Sequence, residues 1–373
     1  MNKIKFFIKQ IGKMAIQHIY LPLLYKRYSH CMIEEKSVIF ADAHHNSVPF
    51  SMKKMHECVS MLDGVKVYDM FYDFQKCGMI GLIKWMKKFM KIYAKAEYVF
   101  ICDNFLPVSA CKKRKETKVI QLWHAGGIMK KAGYDAKDAV PEMYIGNVFA
   151  NYNLWTVSSP NCVPVIENSM HQPKGVVQAT GISRTDIYYD EEYNARCRAE
   201  FYAEYPDAKG KKIVVWAPTF RGNAGDPQLC GEVEIDNAFE QLENCFLVKK
   251  LHPHFENKNP EKVTCDIPSE KLFPVADLLI TDYSSIVFDY LIYQKPFVLF
   301  APDLDKYLQN HGCYIPYDSY PATVAKTSEE LVDGIKYELN YREQSDLKEC
   351  FDYHMGSCDG SSTERILKNI GLI

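Results

Sequence analysis

Hydrophobic positions along this chain fall into two patterns that take turns. Short, nearly continuous apolar runs of strand length recur as SVIFAD, VKVYDMF, EYVFICD, KVIQLWH, VVQATG, KIVVWAP, FLVKK, DLLIT and FVLF, most of them rich in β-branched or aromatic residues. Between most of them lie stretches whose apolar residues return every third or fourth position. These predict helices over 50–62, from Gly81 onward, and over 234–243, 286–293 and 329–343, with a last one in CDGSSTERILKNI. Strands separated by helices imply parallel βαβ units, so the expected class is α/β. The clearest unit is DLLITDYSSIVFDYLIYQKPFVLFAP at 277–302: strand, polar turn, helix, strand. The segment 151–180 carries few charges, and Tyr152, Leu154, Trp155 and Val157 make it a packed piece closed by VVQATG.

Length turns this pattern into two domains, because 373 residues exceed what one core usually organises. The run DEEYNARCRAEFYAEYPDAKGKK reads as a solvated helix ending in a linker, so the boundary is expected there, with domains over 1–190 and 191–373. A net charge of -2 with 25% charged residues argues against a general nucleic-acid binder. The 13 cysteines are scattered without a C-x-x-C pair, which points to a reducing compartment and no structural zinc. No apolar run is long enough to span a bilayer, and no cleavage site follows an apolar core, so a cytoplasmic location is expected.

Charge adds a membrane to this picture. The amino terminus interleaves Lys3, Lys5, Lys9 and Lys13 with Ile4, Phe6, Phe7, Ile8, Ile11, Met14 and Ile16, and has no acid before Glu34. That composition suits an amphipathic helix lying on an anionic membrane, which Pro22 should end or kink; an ordinary surface helix is the alternative. A second helix carries Lys84, Lys87, Lys88, Lys91 and Lys95 around Trp85, Phe89 and Tyr93, and two such helices in one domain favour a membrane-facing surface.

Candidate chemistry sits at strand ends, where α/β folds place ligands. His44 and His45 end the first strand and read as loop histidines. His124 ends KVIQLWH and is followed by Gly126 and Gly127, which permit a tight bend or close approach to a ligand, and by Lys130 and Lys131 at an expected helix start. An imidazole there is placed to act as a general base, or is a satisfied turn histidine. Arg184 lies in the turn GISRTD, and Arg221 in the loop PTFRG; Lys249, Lys250, His252 and His254 follow another strand. Thr281, Asp282, Ser284 and Ser285 occupy the turn of the 277–302 unit, where the serines either hold a phosphate or merely cap the helix. Gathered on one side of two sheets, these groups suit a diphosphate.

The ordered set LWHAGGIMKKAGYD, TGISRTD, VVWAPTFRG, KKLHP, ITDYSSIVFDYLIYQKPFVLFAPDLDKY and CDGSSTERIL, over roughly 115–370, resembles the CDP-glycerol glycerophosphotransferase family of teichoic acid and capsule synthesis. The resemblance implies a GT-B type fold, two Rossmann-like domains facing across a cleft, with the last helix packing back on the first. It implies peripheral attachment to the inner face of the membrane and a polyprenol-linked saccharide acceptor. It makes His124 the base that deprotonates the acceptor and His252 a donor-phosphate contact. Ser284 and Ser285 hold the diphosphate, Asp282 orients their loop, and Arg221, Lys250, Thr281, Gly126, Gly127, Lys130 and Arg184 line the substrates. The implied reaction transfers glycerol phosphate from a CDP-polyol and releases CMP, with no tightly bound cofactor and any Mg²⁺ carried by the donor diphosphate. Where several glycerol-phosphate members have His-Gly-Thr-Pro, this chain has His-Ala-Gly-Gly, which makes CDP-ribitol the alternative donor. A nucleotide-sugar GT-B glycosyltransferase and a non-catalytic scaffold are the further alternatives. The length fits a primase-like enzyme or a short polymerase. Ser361, Ser362 and Thr363 are read as caps.

Overall fold

The structure, a computed structural model, describes residues 10–74, 76, 78–136, 140, 146–223, 226–252, 255 and 264–373. Lys3, Lys5 and Lys9 of the expected amphipathic helix, and His254, lie outside them. The chain divides into two compact units, one made of Met1–His124, Ala132–Asp186 and Ser357–Ile373, the other of Ala125–Lys131 and Ile187–Gly356.

The first unit is built on a parallel sheet of β1 (Glu34–Asp42), β2 (Lys66–Phe71), β3 (Ala96–Ile101), β4 (Lys118–Gln121), β5 (Leu154–Thr156) and β6 (Val177–Gln178), in the order β2-β1-β3-β4-β5-β6. Its core follows from the apolar runs: Val38, Ile39 and Phe40 of β1 and Val99, Phe100 and Ile101 of β3 are wholly buried, and Phe40 stacks on Phe100 at 5.0 Å. Helices lie between β1 and β2, β2 and β3, β3 and β4, and β5 and β6, because a parallel pair needs a crossover.

Pro22 does not end the amino-terminal helix. Residues 10–15 are α-helical, Ile16–Tyr20 form a π segment, and Leu21–Tyr28 continue as α-helix with Pro22 in the first turn. Pro22 has no N–H for the carbonyl four residues back, and the wider turn, in which the Leu21 N–H reaches the Ile16 carbonyl, carries the helix past it. Tyr25 packs on Tyr93 of the helix Met79–Tyr93, with ring centroids 5.2 Å apart.

The second unit centres on a parallel sheet of β7 (Lys212–Trp216), β10 (Cys245–Lys249), β11 (Leu278–Thr281), β12 (Phe297–Phe300) and β13 (Thr323–Ala325), ordered β10-β7-β11-β12-β13. β8 (Arg221–Asn223) and β9 (Asp226–Gln228) form an antiparallel hairpin beside it. The apolar faces of β7, β11 and β12 close on the helices Glu232–Phe239 and Ser328–Tyr341 through Val214, Trp216, Ile280, Val298, Ile235, Leu331 and Ile335.

The division between units falls ahead of the helix Glu191–Glu204, not within it. That helix is not merely solvated: it buries Tyr193, Asn194, Cys197 and Phe201, and Tyr193 donates to the Glu270 carbonyl. Ala125–Lys131 also leaves the first unit, because Gly126 and Gly127 pack on the second: a Cβ on Gly126 would lie 2.7 Å from Met355 Sδ, and one on Gly127 2.5 Å from the Phe288 ring. No helix starts at Lys130 and Lys131. Lys130 instead bridges Cys313, Lys131 N–H donates to Gly312 O, and Tyr314 N–H to Met129 O.

The helix Ser362–Ile370 belongs to the first unit. The expected caps at Ser361–Thr363 are replaced by a distant one. Asp186 accepts from the Ser362 and Thr363 N–H groups at 3.0 and 2.7 Å, and Ser183 and Thr363 share a hydroxyl bond of 2.8 Å. Gly181, at φ +78°, leaves room for Ser362.

Candidate functional site

In the first unit, the carboxyl ends of β1, β3 and β4 bring three histidines and two acids together. Asp42, buried, accepts from the backbone N–H groups of His44 and His45 and from the His45 ring, each at 2.8 Å, which fixes the turn after β1. The Asp103 carboxylate lies 3.7 Å from His44 Nε2 and 3.8 Å from His124 Nδ1. His124 Nδ1 also sits 3.1 Å from the Cys102 carbonyl. A carbonyl only accepts, so Nδ1 is the donor of this pair; in the neutral ring Nε2 then presents the lone pair, the tautomer a general base needs. Trp123, just before it, has φ +57°, a left-handed conformation rare for a large side chain and often stored at functional positions. Gln121, buried at the end of β4, holds that bend by accepting from Trp123 N–H at 3.1 Å and donating to the Asp103 carbonyl at 2.9 Å.

In the second unit, the loops after β7, β11 and β12 converge on Arg221. Its guanidinium grips Asp303 with two bonds of 2.7 and 2.8 Å, reaches Asp282 at 2.9 Å and donates to the Thr219 carbonyl at 2.6 Å. Burial opposes its charge, but the two carboxylates overcome that and hold its pKa up; the same bond holds Asp303 below the usual carboxylate range. Tyr283 and Tyr307, stacked at 3.4 Å, lie against the guanidinium. Asp282 further accepts from Thr219 N–H at 3.0 Å and Tyr283 N–H at 2.6 Å, so it ties the end of β11 to the loop after β7.

Ser284 and Ser285 follow directly, half-buried. Ser285 holds the cap position of the helix Ile286–Leu291 without a side-chain cap bond, and Ser284 accepts only a long 3.4 Å bond from Ile286 N–H. Crowding by protein depresses the Lys130 ammonium, partly offset by the Asp282 carboxylate, although its side chain still reaches solvent. His252 is exposed, its ring 4.8 Å from Phe220. Lys250 donates to the Cys265 carbonyl at 2.7 Å, and Thr281 to the Ala217 carbonyl at 2.7 Å.

These motifs find their match in a family model. Residues 23–372 fit CDP-glycerol:poly(glycerophosphate) glycerophosphotransferase. This chain belongs to that family. The teichoic acid ribitol-phosphate primase of Bacillus spizizenii is 28% identical over 356 residues, 90% of each chain. The teichoic acid ribitol-phosphate polymerase TarK of Staphylococcus aureus is 31% identical over 77% of this chain, which spans 59% of that longer protein. A solved structure of the wall teichoic acid polymerase TagF, an H444N variant, superposes with a TM-score of 0.74 at 18% identity, covering 100% of this chain and 97% of that one. The fold is therefore of GT-B type.

The family's ordered motifs divide between the two units. Lys130, Arg221, Thr281, Asp282, Ser284 and Ser285 gather in the second unit, with His252 and Lys250 at the end of the neighbouring β10. His124 and Arg184 lie in the first. Gly126 and Gly127 serve packing and a tight bend. Arg184 is buried at 5% exposure, two residues before the capping Asp186. Sequence reasoning passed over Asp103 and Asp303, although both stand at the carboxyl end of an apolar run, in FICD and LFAPD, which is the signal that marked His124.

Proposed function

We propose that this chain transfers a polyol phosphate from a CDP-polyol to a hydroxyl of a polyprenol-linked acceptor, releasing CMP. The observation that carries this reading is the 3.1 Å approach of His124 Nδ1 to the Cys102 carbonyl, a pairing in which the neutral ring places its proton on Nδ1 and turns Nε2 into the acceptor. In the proposed reaction Nε2 takes the acceptor's hydroxyl proton and the oxygen attacks the β-phosphorus. The bond from that phosphorus to the bridging oxygen breaks, and CMP leaves with the electron pair. Asp103 stabilises the imidazolium that results. On the donor side Ser284, Ser285, His252 and Lys130 hold the diphosphate, while Arg221 fixes the loops that present them. Asp282 and Asp303 are engaged by Arg221, so any Mg²⁺ arrives with the donor.

Two polyols are readings of the same site. Ribitol is favoured by the likeness to a ribitol-phosphate primase over 90% of each chain and by His-Ala-Gly-Gly; glycerol is favoured by the family description. The work is done at the inner membrane face. The helix Met79–Tyr93 supports this: Lys84, Lys87, Lys88 and Lys91 line its exposed side, with Ile80 and Ile83 exposed at its start. Among the described residues no helix is long and apolar enough to cross a membrane.

The test is CMP release from CDP-ribitol and CDP-glycerol with a lipid-linked disaccharide acceptor. Release with one donor identifies the polyol, and silence with both rejects the reading. His124→Ala should lose about 10²–10⁴-fold in turnover with donor binding kept; unchanged turnover rules out the base.

A further inference from the structure

At the amino-terminal edge of the first sheet, opposite the His124 end, a cavity of about 460 Å³ opens between the helix Leu21–Tyr28 and the loop 111–115. The placement follows from connectivity. The helix leads into the start of β1 and the loop into the start of β4, whereas His44, Asp103 and His124 follow strand ends.

The cavity is lined by Tyr25, Lys26, Lys112, Lys113, Arg114 and Lys115. Its walls are laced together. Arg114 donates from its backbone N–H to the Tyr25 hydroxyl at 2.9 Å and from its guanidinium to the Ser29 carbonyl at 3.2 Å and the Cys31 carbonyl, while Lys113 donates to the Thr117 carbonyl at 2.7 Å. Burial depresses the Lys113 ammonium. Lys26, Lys112 and Lys115 are exposed at the rim. Beside these five cations stands Glu116, exposed and 3.7 Å from Arg114, so a strong positive excess faces the opening. Ile19 and Leu23, 60% and 63% exposed, precede Lys26 at four- and three-residue steps on one helix face, setting apolar surface next to the cations.

We propose that this pocket binds the phosphate headgroup of an anionic phospholipid, with the acyl chains running along Ile19 and Leu23. The positive excess selects a phosphate, and the apolar stripe beside it selects one that carries a lipid. The proposal rests on the membrane-face reading above and gives it a discrete site.

The probe is dihexanoyl-phosphatidylglycerol below its micelle concentration, titrated calorimetrically into the full chain, with inorganic phosphate as a parallel arm. Wild type should bind one lipid saturably. Lys112→Gln with Lys115→Gln should weaken it about 30-fold, from the typical contribution of two lysines near an anionic headgroup. Lys87→Gln with Lys88→Gln, on the exposed helix face, should leave monomeric lipid binding unchanged. Equal loss in both pairs, or no saturable binding by wild type, overturns the proposal in favour of diffuse charge. Inorganic phosphate binding as tightly as the lipid overturns it in favour of a free-phosphate site. The Lys112/Lys115 pair should keep wild-type CMP release with a soluble acceptor. If wild type releases no CMP, the transfer reading fails while the lipid titration stands or falls on its own.

Discussion

His354 gives the loop 125–131 a measurable dependence on pH. It is 2% exposed, its ring lies 4.6 Å from Phe288 and 5.5 Å from Tyr320, and Nδ1 accepts a long 3.4 Å bond from Ile128 N–H. Burial among aromatic rings penalises the imidazolium and pushes its pKa down to about 4. The unfolded chain binds this proton near pH 6.5, so the stability associated with a neutral His354 is complete above about 6.5 and is lost as pH falls toward 4. At pH 4.5 the loss is about 2–3 kcal/mol, from roughly two pH units at about 1.4 kcal/mol each. For units of this size that lowers the melting temperature by about 5–10 °C. Thermal unfolding of wild type and His354→Phe, followed by circular dichroism at pH 7.5 and 4.5, isolates the effect. Phe keeps the ring packing and removes the titration, so wild type should lose that much more than the variant on acidification. Parallel losses would refute the assignment, and amide exchange at Ile128 should track the difference.

Three further changes test the architecture. Gly127→Ala combines a left-handed backbone with a contact 2.5 Å from the Phe288 ring, and should cost about 2–4 kcal/mol in urea unfolding. Arg221→Met leaves Asp282 and Asp303 without their shared cation and should cost about 3–5 kcal/mol; Arg221→Lys, which cannot grip Asp303 with two bonds, should restore only part of the urea midpoint. Asp186→Ala removes the acceptor for two N–H groups of the last helix and should destabilise it by about 1–2 kcal/mol, seen as faster amide exchange at Ser362 and Thr363; unchanged exchange there contradicts the capping role.

The strands were legible because their apolar runs are buried: β7, β11 and β12 lie within the runs read from sequence, and β1 and β3 overlap theirs but begin three residues and one residue earlier. Helix starts were less so. Lys130 and Lys131 follow a strand and two glycines, which is also how a helix begins, but Gly127 and the pairing with 312–314 hold them extended. Pro22 disturbs the helix, as its missing N–H requires, but does not end it: whether the chain stops there or widens into a π turn depends on packing such as that of Tyr25 on Tyr93. Among the candidate residues, His124 and the Asp282 turn were singled out from position alone. The occupation of Arg221 by Asp282 and Asp303 was not, because it depends on which strand ends meet, and that follows from the sheet order.

The path of the chain between its two units has a consequence for biosynthesis. The sheet of the first unit is finished once β6 has been made, but its covering helix Ser362–Ile370, capped by Asp186 and anchored where Lys118 donates to the Ile370 carbonyl, is translated only after the second unit's Ile187–Gly356. The usual order, in which the amino-terminal body completes first as it leaves the ribosome, is therefore reversed. The second unit can close while the first still waits for its last helix, with the surface around Gly181 open to solvent and to chaperones. A ribosome stalled before residue 362 would display a second unit near its final state attached to a first one that is not, and a change that hinders the helix Ser362–Ile370 would injure the unit that begins the chain.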